Sequence, residues 1–275
     1  IIKDYVKESI DFINDYNQNH RLNVNGKDVP LINAVDLFNE IVSFEKNTNG
    51  EYYNIWKSKY GITMDELLAV FDYAFQNKPD GVSFLYNEPF LEDDERRKKV
   101  LEVLEEIDSK RPGLIDTLGS QMHITIGEDE NKIRHCFEDF RILQERTGKK
   151  IQITEFDMSL GRTQIPRLFG NNPDVTLKQV YAYKHQKIRK ISDIIKESGV
   201  QLDGISYWSL TDGIDCNLER IRTNYLLDES ITDIYQIPTV CGGLFPTHKK
   251  LIKQQEYLSS ETQNLEDSEI SHKHR

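Results

Sequence analysis

Polar and aromatic side chains stand at the same end of five short apolar runs in this 275-residue sequence. Taken singly, each has an ordinary explanation, since a carboxylate after a strand is usually a helix cap or a solvated loop residue. Five such coincidences at the same end of five buried strands instead indicate a functional site. The residues concerned are Asn39, Glu40, Asn87, Gln121, His123, Glu155, Asp157 and Trp208.

Two of these residues are glutamates that could act as a pair. Glu40 ends the first apolar run, and Glu155 ends the fourth, far along the chain. Hydrolysis of a glycosidic bond with retention of configuration needs two carboxyl groups about 5–5.5 Å apart, one a proton donor and the other an ionised nucleophile. Strands on facing sides of a barrel can bring such groups together. The pattern therefore predicts a carbohydrate-active site.

The apolar runs alternate with amphipathic stretches of helical period, which is the pattern of successive βα units and a parallel sheet. A closed barrel of this class needs eight strands, with its active-site residues at their carboxyl ends. Five runs predict an α/β fold that is a partial (β/α)8 TIM barrel, with parallel strands and the helices outside. We expect strands near 32–38, 82–86, 116–123, 151–155 and 204–208, a loop at Asn25-Gly26, and helices near 2–18, 65–75, 93–109, 130–147, 176–198 and 247–258.

Charge and composition narrow the possible partners. The sequence has 35 Lys and Arg against 46 Asp and Glu, a net charge of −11. This balance opposes binding to nucleic acid, because phosphate contacts need clustered cations. Apolar runs all fall short of the ~18 residues of a membrane span. Seven scattered His residues show no paired metal-ligand spacing, so we expect neither a metal nor another cofactor. Cys136, Cys216 and Cys241 are either unpaired buried thiols or include a Cys216–Cys241 disulfide.

The strand ends carry five motifs in a specific order. They read VDLFNE at 35–40, YNEPF at 86–90, GSQMH at 119–123, ITEFD at 153–157 and WSLTD at 208–212. In this order they resemble W-D-V-V-N-E, Y-N-D-Y-N, G-x-Q-x-H, I-T-E-L-D and W-G-x-x-D of glycoside hydrolase family 10, the retaining endo-β-1,4-xylanases. Any one motif is weak, whereas five in order at suitable spacing are strong. The resemblance extends from residue 1 to about 258.

The resemblance implies a role for each residue of the predicted site. Glu155 would be the nucleophile and Glu40 the acid/base of a retaining hydrolase that acts on xylan or a related β-1,4-glycan. Asn39 would hydrogen-bond the 2-hydroxyl of the sugar at the cleavage site. His123 would contact Glu155 and be oriented by Asp157. The remaining members are Gln121, which would help to position these groups, Trp208, which would form the apolar floor under the sugar ring, and Asn87.

The sequence also departs from the family pattern. Counterparts of the first three family strands do not precede the helix predicted at 2–18. Pro89, Val35 and Ser209 replace a Tyr, a Trp and a Gly, and Asp215-Cys216-Asn217 stands where the family often has Ser-Trp. Two readings follow. The chain is the catalytic part of a hydrolase, or it is a non-catalytic sugar-binding or incomplete barrel remnant that needs its missing N-terminal half.

The expected organisation is one partial barrel domain over residues 1–258, followed by a polar, disordered tail over 259–275. The resemblance implies a β-1,4-linked polysaccharide of the xylan type as partner. In the parent protein it also implies the N-terminal barrel half and allows a carbohydrate-binding module. Nucleic acid and membrane are not expected as partners. The family resemblance further implies an extracellular protein, secreted or on the cell surface, although the sequence starts without a signal peptide.

Overall fold

The chain begins with a helix and a β-hairpin. Helix α1 (Ile2–Asn19) is followed by strands β1 (Arg21–Val24) and β2 (Lys27–Pro30), which pair antiparallel. Asn25 and Gly26 lie between them with φ of 52° and 80°. Two successive positive φ values match the right-handed twist of a tight hairpin, and Asn-Gly is the dipeptide that best adopts them. The loop expected at this dipeptide is therefore a tight turn, and the two strands on either side of it were not expected.

The computed structural model describes residues 1–159, 164–170 and 177–208. Its main sheet consists of β3 (Ala34–Asn39), β4 (Ser83–Glu88), β5 (Thr117–Ser120), β6 (His123–Thr125), β7 (Lys150–Ser159) and β8 (Leu202–Tyr207). The strand order is β3-β4-β5-β7-β6, each of these neighbouring pairs is parallel, and β8 also pairs with β7. The predicted parallel α/β fold is confirmed. In the described residues the main sheet has six strands, fewer than the eight of a closed barrel, so the barrel is incomplete in this part of the chain.

The helices between the strands are α2 (Ile55–Tyr60), α3 (Met64–Val70), α4 (Asp72–Gln76), α5 (Asp94–Lys110), α6 (Glu130–Thr147), α7 (Gln164–Phe169) and α8 (Leu177–Ser198). In α5 the buried aliphatic residues fall at 100, 103, 104 and 107, which is the spacing of one helix face. Its first turn is capped by Asp93, whose carboxylate accepts the backbone N–H of Arg96 at 2.9 Å.

Three helical segments differ from the sequence-based expectation. The single helix expected at 65–75 is divided into α3 and α4 at Phe71, whose N–H donates to the carbonyl of Leu68. Helix α2 has only six residues, too few to show a period. Helix α7 lies between the strand expected near 151–155 and the helix expected near 176–198, where no helix was expected, and Pro166 is its third residue. Proline is tolerated there because the first turn leaves backbone N–H groups unpaired in any case.

Two compact units can be distinguished along the chain. The first comprises Ile1–Met122, Glu130–Thr154 and Ile194–Ser206. Its core contains β5, which is buried throughout, and β4, which is buried at every residue after the first. Such continuous burial is typical of parallel strands covered on both faces. The described part of the second unit includes β6 and the end of β7, paired with His123 opposite Asp157.

Several expectations fall outside the described residues. They are the helix near 247–258, the tail at 259–275 and the Cys216–Cys241 pair. Cys136 is a buried free thiol on α6. None of the described helices combines the length and apolar character needed to cross a bilayer.

Candidate active site

Glu40 leaves strand β3 in an uncommon backbone conformation. Its φ is 56°, in the left-handed region that few residues other than glycine occupy. The backbone N–H of Glu40 donates to the carbonyl of Asn87 at 3.0 Å, which ties the end of β3 to β4. Its side chain is partly buried, and Oε1 accepts a hydrogen bond of 3.0 Å from Nε2 of Gln121. Backbone and side chain of Glu40 are thus both held by neighbouring strands.

Asn87 is the buried centre of the polar groups around Glu40. Its Nδ2 donates to Oδ1 of Asn39 at 3.2 Å and to Oδ2 of Asp36 at 3.4 Å. Its Oδ1 accepts from the hydroxyl of Thr154 at 2.7 Å. An amide can occupy a fully buried strand position because both of its polar atoms are paired. The structure therefore brings together four predicted site residues, here called the Glu40 network: Asn39, Glu40, Asn87 and Gln121.

Gln121 reaches this network from a break in the predicted third strand. The run expected at 116–123 is divided into β5 and β6 at Gln121 and Met122, and Met122 has a φ of 53°. The backbone N–H of Gln121 donates to the carbonyl of Glu88 at 3.0 Å. Its side-chain amide lies 3.0 Å from Oε1 of Glu40 and 3.4 Å from Oδ1 of Asn39.

A second group of predicted residues forms the Glu155 network, which consists of His123, Glu155, Asp157 and Trp208. Strand β7 continues to Ser159 beyond the end expected at 155, so Glu155 and Asp157 both lie within it. Nδ1 of His123 lies 2.9 Å from Oδ1 of Asp157, and Nε2 lies 3.3 Å from Oε2 of Glu155. The imidazole thus bridges the two carboxylates.

The electrostatics of His123 follow from this bridging position. Burial lowers the pKa of His123, but Asp157 and Glu155 oppose it, and the net pKa lies above the ordinary value. Carboxylate oxygens only accept hydrogen bonds, so both ring nitrogens are satisfied at once when the imidazole is protonated. A protonated His123 would place a positive charge beside Glu155.

Trp208 provides the apolar surface of the Glu155 network. Its ring meets His123 edge to face, with centroids 5.8 Å apart and planes at 81°. The backbone N–H of Trp208 donates to the carbonyl of Phe156 at 3.1 Å, and 43% of the residue is exposed. An exposed indole can stack on an apolar ligand face. The rest of its motif, residues 209–212, lies outside the described residues.

Sequence reasoning missed a buried ion pair next to the Glu40 network. Glu88 and Arg96 are 0% and 1% exposed, and Oε2 of Glu88 lies 2.8 Å from Nη2 of Arg96. The hydroxyl of Tyr86 donates to Oε1 of Glu88 at 2.7 Å. Burial raises the pKa of Glu88 to about 7, because desolvation of the carboxylate outweighs its hydrogen-bond donors and Arg96. The available signal was a carboxylate at the end of a predominantly apolar run, because a carboxylate that is buried there needs a partner.

Among the other concave features of the described residues is a cleft of about 460 Å³ among α2, α3 and α5. It contains none of the eight predicted site residues. Within the cleft Lys110 pairs with Asp65, and Lys99 pairs with Glu102. Among the described residues, no group of three or more His, Cys, Asp or Glu side chains is arranged to hold a metal ion.

Comparison with known proteins supports the family resemblance. The family model described as Glycosyl hydrolase family 10 matches residues 8–232. The endo-1,4-beta-xylanase A of Thermotoga maritima is 27% identical over 179 residues, which cover 65% of this chain. The protein of the same name from Thermotoga neapolitana is 25% identical over 179 residues. The matched stretch is only 16% of the length of either relative.

Solved structures show the same fold. Xylanase10C from Cellvibrio japonicus, in complex with xylopentaose, has a TM-score of 0.63 at 18% identity, over 89% of this chain and 44% of that chain. The intracellular xylanase TsXylA of Thermoanaerobacterium saccharolyticum has a TM-score of 0.55 at 19% identity, over 78% of this chain and 56% of that chain. These likenesses support the barrel fold.

The expectation of an extracellular protein is wrong as an inference from the family. It assumed that proteins of this kind are secreted or on the cell surface, but TsXylA is described as intracellular. Neither the barrel fold nor its carboxylates depend on the cellular compartment, so family membership does not determine the location of the protein.

Proposed function

Because this chain belongs to glycosyl hydrolase family 10, we propose that it carries the two catalytic carboxylates of a retaining, xylanase-like glycoside hydrolase. Glu155 is the nucleophile, and Glu40 is the acid/base. The chain spans about a sixth of the length of its curated relatives, and the activity, substrate and partners of the whole protein belong to the proposal. The bond that it cleaves is a β-1,4 linkage of a xylan-type chain.

The observation that carries the proposal is the arrangement of Glu155, His123 and Asp157. With Nε2 of His123 3.3 Å from Oε2 of Glu155, the imidazole fixes the orientation of the carboxylate. Asp157, 2.9 Å from Nδ1, holds the ring in place. A nucleophilic carboxylate needs this combination, because it must stay ionised and point at one carbon atom.

The proposed reaction is a double displacement. Glu155 attacks the anomeric carbon while Glu40 gives a proton to the departing glycosidic oxygen, which leaves a covalent glycosyl-enzyme ester. Glu40 then takes a proton from water, and the water oxygen displaces Glu155 from the anomeric carbon. The amide of Gln121 restrains the Glu40 carboxyl during both proton transfers.

The substrate class is supported by the named relatives. Both curated relatives are endo-1,4-beta-xylanases, and a protein of similar fold binds xylopentaose. In this chain, the exposed ring of Trp208 suits stacking against a sugar ring, and Asn39 offers an amide for a sugar hydroxyl. A xylan-type β-1,4-glycan therefore fits the proposal best.

A non-catalytic, sugar-binding role is the second candidate. It is favoured by the incomplete barrel of the described residues. The two candidates differ in turnover. A binding remnant would retain xylo-oligosaccharides without cleaving them, whereas the hydrolase would release reducing ends from xylan.

The proposed roles are tested by substitution in the protein that carries this chain. Glu155→Gln should abolish cleavage of both xylan and activated aryl xylosides, because the covalent step disappears. Glu40→Ala should abolish cleavage of xylan but spare formation of the intermediate from aryl xylosides with good leaving groups, which need little proton assistance. Azide should then restore turnover by attacking the intermediate.

Glu45→Ala, an exposed position on the same segment as Glu40, is the matched control and should behave as the wild type. Equal loss on all substrates without azide rescue would show that Glu40 is not the acid/base.

A further inference from the structure

The segment that follows Glu40 is bonded to two buried charges. Glu40 has the left-handed φ of 56°, a conformation that a non-glycine residue keeps only where its surroundings fix it. The next three residues, 41–43, are fully buried. Their backbone groups bond mainly to the side chains of Glu88 and Arg96. These two charges therefore hold the chain one to three residues after Glu40.

Glu88 binds the N–H side of this segment. Its Oε1 accepts the backbone N–H of Val42 at 2.9 Å, and its carboxylate also accepts from the N–H of Ile41, the residue next to Glu40. The Tyr86 hydroxyl and Arg96 are its other donors. Four donors around one buried carboxylate leave it little freedom to move.

Arg96 binds the carbonyl side. Its Nη2 donates to the carbonyl of Val42 at 2.9 Å, and its Nη1 donates to the carbonyl of Ser43. Its Nε donates to the carbonyl of Pro89 at 2.8 Å, just after β4. One planar guanidinium thus joins the chain after β3 to the chain after β4, and the flexible point charge of a lysine cannot reproduce this geometry.

We propose that Glu88 and Arg96 are positioning residues for Glu40: by fixing residues 41–43 they hold the carboxyl of Glu40 where it can exchange a proton with a glycosidic oxygen. The proposal rests on the proposed function of Glu40. A buried ion pair is itself a poor source of stability, since desolvation offsets its attraction. Its use here is to restrain a backbone that would otherwise relax from a strained conformation.

Arg97 offers a matched control on the same helix. It is also buried, at 3% exposure of its side chain, but its guanidinium bonds to Asp139, Asp94 and the carbonyl of Leu91. Arg96→Lys and Arg97→Lys each remove a buried guanidinium from neighbouring positions of α5. Only Arg96→Lys removes hydrogen bonds to residues 41–43.

The first measurement is hydrogen exchange at the backbone amides of Ile41 and Val42. Arg96→Lys should accelerate their exchange by about 10-fold or more, because loss of the fork frees the segment to open locally. Arg97→Lys should leave it unchanged. Tyr86→Phe, which removes only one donor to Glu88, should act in the same direction to a smaller extent, and it decides the matter if Arg96→Lys does not fold.

The second measurement compares substrates. Arg96→Lys should lower kcat on xylan by about 10- to 100-fold, as expected for a misplaced catalytic group, and should affect aryl xylosides with good leaving groups much less. Arg97→Lys should change both substrates to the same extent. Equal effects of the two substitutions on exchange and on substrate preference would overturn the proposal. If the wild type cleaves neither substrate, the proposed function fails, and exchange at Ile41 and Val42 alone decides the positioning.

Discussion

His123 is the residue on which the chemistry of the Glu155 network depends. Both of its ring nitrogens face carboxylate oxygens, at 2.9 Å from Asp157 and 3.3 Å from Glu155. An imidazolium between two carboxylates neutralises part of their mutual repulsion. It also donates toward Glu155, and this fixes the orientation of the carboxylate that acts as nucleophile in the proposed reaction.

The raised pKa of His123 predicts a specific pH dependence of stability. The folded chain holds this proton more tightly than the unfolded chain, whose histidine titrates near ~6.5. The stabilising contribution is therefore complete below ~6.5 and is lost as the pH rises through the folded pKa. Urea unfolding across a pH series should show a difference between wild type and His123→Gln that shrinks toward alkaline pH. His135→Gln, at an exposed position on α6, is the control for loss of an imidazole outside the Glu155 network. A difference that grows with pH would contradict this account of His123.

At the residue scale, the sequence motifs identified the site residues that lie within them. Glu155 and Asp157 are two apart in one strand, and pairing in register with β6 places His123 opposite Asp157. The Glu88–Arg96 pair could not be predicted in the same way. Helix α5 begins with Asp94-Glu95-Arg96-Arg97, and sequence alone does not say which arginine turns toward Glu88.

At the scale of elements, Gly119 of β5 is in close contact with Asn87 of β4 and Thr154 of β7. A Cβ built there would lie 2.7 Å from Oδ1 of Asn87 and 3.0 Å from Cγ2 of Thr154. Gly119→Ala should therefore displace Asn87 and lower the free energy of unfolding by about 1–3 kcal/mol, as overpacking does elsewhere. Chemical denaturation measures this directly.

Gly204 in β8 is the matched strand glycine. Its added Cβ would meet nothing nearer than the Gln152 side chain at 3.9 Å. Gly204→Ala should therefore be neutral or slightly stabilising, since alanine has less backbone freedom to lose on folding. Similar destabilisation by both substitutions would show that Gly119 is not specially crowded.

The strands were predictable because parallel strands buried on both faces read as continuous apolar runs. The residues at which the strands begin and end were harder to predict. The fourth run continues to Ser159 because β6 pairs with β7 at Asp157, Met158 and Ser159, and this tertiary pairing leaves no mark on the run itself. The break between β5 and β6 at Gln121-Met122 likewise comes from the backbone conformation, since Met122 has a φ of 53°. The hairpin at Asn25-Gly26 was predictable, because that dipeptide is a strong local signal.

At the scale of the whole molecule, the chain is a family 10 member in which the described residues form part of a barrel. The family model covers residues 8–232, whereas the matched stretch is 16% of the curated relatives. The partial domain expected at 1–258 and the tail at 259–275 stay predictions. The family barrel carries its active-site residues at strand ends, and the proposed reaction assigns one carboxylate to each of the two networks.

The central claim is that Glu155 forms a covalent bond to sugar, and the most direct measurement is to trap that bond. A 2-fluoro xyloside with an activated leaving group should form the glycosyl-enzyme and slow its hydrolysis, so that the adduct accumulates. Mass spectrometry of the intact protein and of its peptides should find one sugar, attached to the peptide that contains Glu155. Glu155→Gln should give no adduct, and Glu145→Gln, at an exposed position on α6, should give the same adduct as the wild type. An adduct on another residue, or none under conditions in which xylan is cleaved, would contradict the account.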